Sequence, residues 1–67
     1  MFKESDYLVA LHVASHLFGG DEQKAVAWLN KPARAFGGKT PVQVLESEDG
    51  VEMITTLVGQ IQHGVIV

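Results

Sequence analysis

The trio Phe-Gly-Gly occurs twice, at Phe18-Gly19-Gly20 and at Phe36-Gly37-Gly38, and it cuts the chain into short pieces. Glycine accepts the left-handed backbone that ends a helix, which residues with a Cβ resist. Each doublet is followed by a residue that can start a helix. Asp21 follows the first, and Thr40-Pro41 follows the second. Asp and Thr side chains accept hydrogen bonds from free N–H groups of a first turn, and proline suits the first helical position. The pattern therefore predicts helix, reversal, helix, reversal, helix.

Between these punctuation marks the apolar residues recur at helical spacing. Tyr7, Leu11, Ala14 and Phe18 mark a first helix, with Leu8 and Leu17 beside them and Ser5 or Asp6 as its cap. Its only internal polar residues are His12, Ser15 and His16, which predicts a narrow solvent face. Ala25, Val26, Trp28 and Leu29 form the core-facing stripe of a second helix, closed by Asn30 and Pro32. Around Phe36 the sequence predicts one turn of helix at most, with the ring inward. A short third helix starts at Pro41, with Val42 and Leu45 on one side. Ser47 can cap the last helix, with Gly50 tolerated in its first turn. Val51, Ile54, Leu57, Val58, Ile61 and Val65 then recur in a three-four rhythm, with Glu52, Thr55, Thr56, Gln60 and Gln62 on the other faces. Gly59 either lets a neighbour approach or is simply tolerated, and Gly64 is the natural stop. The expected fold class is all-α, a small bundle of about four helices within a single domain, 1–67. The terminal Val65-Ile66-Val67 is strand-like by propensity but has no partner strand in the sequence.

Composition narrows the function classes. A chain of 67 residues is one small domain that buries about 60% of its unfolded surface, so its stability margin is narrow. With 46% hydrophobic and 19% charged residues it is ordinary globular material. There are 0 cysteines, which excludes disulfides and thiolate metal sites. No apolar run approaches the roughly 20 residues of a membrane span, and "MFKESDY" lacks the pattern of a signal peptide. A cytoplasmic location follows as the default. The net charge of −3 argues against a nucleic-acid binder, although Lys31, Arg34 and Lys39 could form a local basic patch.

Each candidate for chemistry has a plainer reading. His12 and His16 share a helix face at i, i+4, a spacing that can hold zinc, but neither cysteine nor a following glutamate completes a site. They read as surface histidines, and no metal is expected. The acids Asp21, Glu22, Glu46, Glu48, Asp49 and Glu52 cluster at helix starts, where capping and the helix dipole account for them. A general acid or base needs a desolvated pocket, which a bundle this small hardly provides, so no enzyme activity and no cofactor are expected. "GGKT" has the ending of a phosphate-binding loop, but position 33 is Ala33 where the first glycine belongs, and no strand precedes it. The most suggestive stretch is the apolar terminus. Three β-branched residues there cannot all be covered by so small a fold, and exposed apolar segments mark partner sites. Against this, Val65 could complete the last helix and leave only Ile66 and Val67 uncovered.

Taken together, Ala25, Trp28, Leu29, Pro32, Phe36, Gly37, Gly38, Thr40, Pro41, Leu45, Gly50, Leu57, Ile61, His63 and Gly64 form the pattern A-x-x-W-L-x-x-P, then G-G-x-T-P, then I-x-H-G. It resembles the toxin-binding domain shared by the Xre, MbcA and ParS antitoxins of bacteria. The resemblance covers about residues 21 to 67, which leaves an extra helix at 1–20. Phe36 stands where the family usually has leucine. The resemblance implies a helical domain that sequesters a RES-type toxin, an NAD-degrading enzyme, by laying its last helix and C-terminal end over the toxin's active site. Carried onto this sequence, the implied interface is Gln60, Gln62, His63, Gly64, Val65, Ile66 and Val67. Trp28, Leu29, Pro32, Gly37, Gly38, Thr40, Pro41 and Gly50 are implied as scaffold. Family members often carry an N-terminal helix-turn-helix domain that binds DNA, and about 20 residues are too few for one. The expectation is therefore a short member or an excised domain, with autoregulation in doubt. Two other readings stay open. One is a self-associating module that pairs the Val51–Val65 stripe with its own copy as a homodimer. The other is a fragment of a DNA-binding regulator.

Overall fold

Why the chain reverses where it does is visible in a computed structural model, which describes residues 3–63. Four helices follow in order: α1 (Glu4–Ser15), α2 (Glu22–Leu29), α3 (Pro41–Val44) and α4 (Gly50–Gln62). Three-residue 3₁₀ turns at His16–Phe18 and Arg34–Phe36 lead into the two glycine doublets. No strand occurs among the described residues. The expected all-α class holds.

The two doublets are the same device. Gly19 has φ 64° and Gly37 has φ 65°, and both are followed by a second glycine with positive φ. The second glycine donates its N–H five residues back, Gly20 to the Ser15 carbonyl at 2.9 Å and Gly38 to the Ala33 carbonyl at 3.0 Å. That bond satisfies a carbonyl the helix end would otherwise leave free. The expected starts follow. The Asp21 carboxylate accepts from the Lys24 N–H at 3.2 Å. Thr40 forms a reciprocal capping box with Gln43: the Gln43 N–H donates to Thr40 Oγ1 at 3.1 Å, and the Thr40 N–H donates to Gln43 Oε1 at 2.8 Å.

The core consists of Ala10, Ala14, Ala25, Leu29, Val44, Leu45, Ile54 and Val58. Tyr7, Leu11, Leu17, Phe18, Trp28 and Phe36 pack around it. α1 lies against both α2 and α4, and α3 bridges α2 and α4. Small residues (Ala10, Ala14 and Ser15) occupy the buried line of α1. They let two helices approach it closely. Buried Ser15 donates its hydroxyl to the His12 carbonyl at 2.7 Å.

Several local expectations give way to packing. α1 is capped by Lys3 without a side-chain bond, and Ser5 and Asp6 lie inside the helix. Its solvent face is broad: Leu8 and Val9 are 56% and 47% exposed, because the contact with two neighbours selects the alanine line instead. On α2, Ala25, Trp28 and Leu29 share one side, and Val26 falls a quarter-turn away and is exposed. On α3 the buried residues are Pro41 and Val44, followed by Leu45 just beyond the helix, while Val42 is half-buried. Asp49, not Ser47, is the N-cap of α4. Gly50 is required there, not merely tolerated. A Cβ on it would run into the Val44 carbonyl oxygen and lie 2.7 Å from Leu45 Cα. Gly59, by contrast, faces open space.

Candidate functional site

The stripe that builds α4 does two different things along its length. Ile54 and Val58 are buried at 0% and 2% exposure, and Val51 and Leu57 are half-buried. Ile61 continues the line of Ile54 and Leu57 at helical spacing, yet it is 41% exposed. The core ends one turn before the helix does. An apolar side chain is left at the rim, next to the C-terminal residues implied as the interface.

Those residues do not share one face. Gln60, Gln62 and His63 are all exposed on the last turn. Successive helical residues are rotated by about 100°, so Gln60 and Gln62 point to nearly opposite sides. The Gln62 amide donates to the His16 carbonyl at 3.4 Å, tying the end of α4 to the end of α1. Gln60 stands instead at one end of a shallow groove beside α4. His63 is the C-cap. Gly64, Val65, Ile66 and Val67 lie outside the described residues, as does the expected helix stop at Gly64.

The groove was not visible in the sequence. Ala35 and Phe36 line it from the turn before the second glycine doublet, and Met53 and Leu57 line it from α4. Asp49, Glu52, Thr56 and Gln60 line its polar side. The spacing of Met53, Thr56 and Gln60, i, i+3, i+7, is a helical face that could have pointed to it. A second hollow lies between α1 and the start of α2, lined by Leu8, Leu11, His12 and Glu22 among others.

The scaffold residues fall where a framework needs them. Leu29 is fully buried, Trp28 packs against the core and Pro41 is buried. Gly37 and Gly38 turn the chain, Thr40 caps α3 and Gly50 permits the α3–α4 contact. Pro32 is exposed after the close of α2, where Asn30 donates from its side chain to the Val26 carbonyl at 2.9 Å. The His12 and His16 rings stand edge to face with centroids 4.9 Å apart. Among the described residues no group of three or more His, Cys, Asp or Glu could hold a metal ion. None of the described helices is long and apolar enough to cross a membrane.

This framework can be compared with known proteins. Residues 13–64 match the family described as the antitoxin Xre/MbcA/ParS C-terminal toxin-binding domain. The match begins within α1, earlier than the glycine and Trp-Leu motifs alone suggest. The chain is similar to an antitoxin Xre of Yersinia enterocolitica, 36% identical over 88% of this chain and 40% of that protein. It is also similar to an antitoxin Xre of Photorhabdus laumondii, 40% identical over 79% of this chain and 36% of that protein. A third, antitoxin Xre of Pseudomonas putida, is 38% identical over 67% of this chain and 28% of that protein. The chain thus spans well under half the length of the curated relatives it matches. No solved structure matches it. The Trp-Leu, Gly-Gly-x-Thr-Pro and Gly50 framework, with a match across most of the chain, places this protein in the Xre/MbcA/ParS antitoxin family as a C-terminal toxin-binding domain.

Proposed function

We propose that the chain neutralises a RES-type toxin, an NAD-degrading enzyme, by laying the end of α4 and residues 64–67 across the toxin's active site. The observation that carries this reading is the uncovered end of the apolar stripe. Ile61 is 41% exposed at the point where residues 64–67 begin their run of Gly, Val, Ile and Val. Fully burying an exposed aliphatic side chain is worth about 1.5–3 kcal/mol, so Val65, Ile66 and Val67, with the uncovered part of Ile61, supply the anchor of a tight interface. In this reading Gln60 and His63 contact the toxin beside that anchor. Gln62, whose amide donates to the His16 carbonyl, ties the last turn of α4 to the end of α1. The proposal places all of the binding in one domain and needs neither metal nor cofactor. It includes no DNA contact, in keeping with the net charge of −3.

The test is inhibition of NAD consumption by a RES-domain protein, sought first in the adjacent reading frame. The whole chain should bind it and suppress its activity, and deletion of residues 64–67 should restore the activity. Unchanged inhibition after the deletion would refute the occlusion mechanism.

A homodimer is the second reading, on a different surface from the one the stripe suggests. Ile54 and Val58 are enclosed within one copy, so that stripe is not available for pairing. Exposed Leu8 and Val9 on α1 are the residues that favour self-association. Sedimentation of the wild type and of Leu8→Glu decides it: a dimer on this face dissociates in the variant.

A further inference from the structure

The groove beside α4 has a use that the tail proposal leaves unassigned. Part of its lining is apolar: Phe36 comes from the turn before the second glycine doublet, and Met53 and Leu57 lie one turn apart on α4. Met53 is 40% exposed and stands within this lining. Asp49 and Glu52 form the lip at one end, and none of the described lining residues is basic. Arg34, next in sequence to Ala35, is not part of the lining. The far end is Gln60, which belongs to the interface proposed above.

We propose that this groove is a second docking surface for the toxin. It receives a toxin segment that sets an aliphatic or aromatic side chain on Phe36, Met53 and Leu57 and a lysine or arginine beside Asp49 and Glu52. The inference rests on the antitoxin reading. Two observations select this occupant. The first is charge complementarity: a lip of two carboxylates beside apolar lining residues suits a long cationic side chain, whose methylene stem covers apolar surface while its head meets the acids. The second is continuity. Gln60 joins the groove to the end of α4, so one partner can span both. The Met53 thioether in the lining suits a recognition surface because it adapts its shape to the group it meets.

The experiment measures association and dissociation rates of the full chain with the RES-domain toxin used in the inhibition test between low and moderate salt. Met53→Asp is expected to weaken the affinity roughly tenfold or more, mainly through faster dissociation. Glu52→Lys is expected to slow association roughly tenfold at low salt and to flatten its salt dependence. Glu22→Lys on α2 makes the same change in charge away from the groove and is expected to leave the rates near wild type. Because Glu52 also sits in the first turn of α4, Glu52→Gln serves as the milder variant, with melting curves confirming that each chain is folded. Wild-type binding with Met53→Asp and Glu52→Gln unchanged would overturn the groove assignment and leave the tail mechanism standing. Equal effects of Glu52→Lys and Glu22→Lys would reduce the charge term to net charge and also overturn it. No binding by the wild type would remove the antitoxin reading for this toxin, and the groove assignment with it.

Discussion

Alanine at two glycines of the same helix is expected to have opposite effects. At Gly50 a Cβ would strike the Val44 carbonyl oxygen and stand 2.7 Å from Leu45 Cα and 2.9 Å from the Val44 carbonyl carbon. Carbon pairs are comfortable at roughly 3.5 Å, so the contact with Leu45 is about 0.8 Å too short. All three neighbours are backbone atoms, and none can rotate aside. The α3–α4 junction must open, disturbing Val44 and Leu45, which are only 4% and 3% exposed. Overpacking of this kind costs roughly 1–3 kcal/mol, against a propensity gain of at most about 1 kcal/mol. A net loss of about 1–2 kcal/mol is a large share of the roughly 3–10 kcal/mol available to a chain of this size. It should lower the melting temperature by roughly 5–15 °C. Gly59 meets nothing within 4 Å, so alanine there should stabilise by about 0.5–1 kcal/mol through backbone entropy alone. Urea unfolding followed by circular dichroism and by Trp28 fluorescence measures both. If Gly50→Ala stabilises the fold as Gly59→Ala does, the close approach of α3 to α4 is wrong.

Other outcomes follow from named contacts. Thr40→Ala removes the capping box and should cost about 0.5–2 kcal/mol in the same unfolding assay. Leu29→Ala empties a fully buried position and should cost roughly 2–5 kcal/mol, enough to leave much of the protein unfolded at 37 °C. Gly37→Ala forces a Cβ into a backbone with φ 65° and should cost about 1–2 kcal/mol without changing toxin binding once folded. Ile61→Asp should leave the melting temperature nearly unchanged, since Ile61 is at the rim, and weaken toxin binding about tenfold or more. A melting point that falls as far as for Leu29→Ala would place Ile61 in the core instead.

Much of the framework was legible because it rests on local backbone chemistry. A glycine doublet followed by Asp or by Thr-Pro specifies a helix end and a helix start without help from the rest of the chain. The structure repeats the geometry almost degree for degree at Gly19 and Gly37. The stripe of α4 was legible for the same reason, since a three-four repeat needs a buried side. The groove was not legible. It forms from Phe36 and Met53, which are far apart in sequence and meet only after the chain reverses at the second doublet. The face of α1 was misleading because hydrophobicity alone does not say which residues fit between two helices. Ala10 and Ala14 are small enough to be buried there, and Leu8 is not.

The sequence by itself determined where the chain reverses and where α2 and α3 begin, and which family this chain joins, because capping, glycine conformation and the Trp-Leu and Gly-Gly-x-Thr-Pro motifs are written in neighbouring residues. Tertiary structure decided which apolar residues are covered. Ile54 is enclosed at 0% exposure and Ile61, on the same stripe, is 41% exposed, because burial depends on which neighbours pack there and not on the repeat. It also decided the meaning of Gly50. In sequence this is one more glycine at a helix start. In the fold it is the point where the α3 backbone comes so close to α4 that no side chain fits between them.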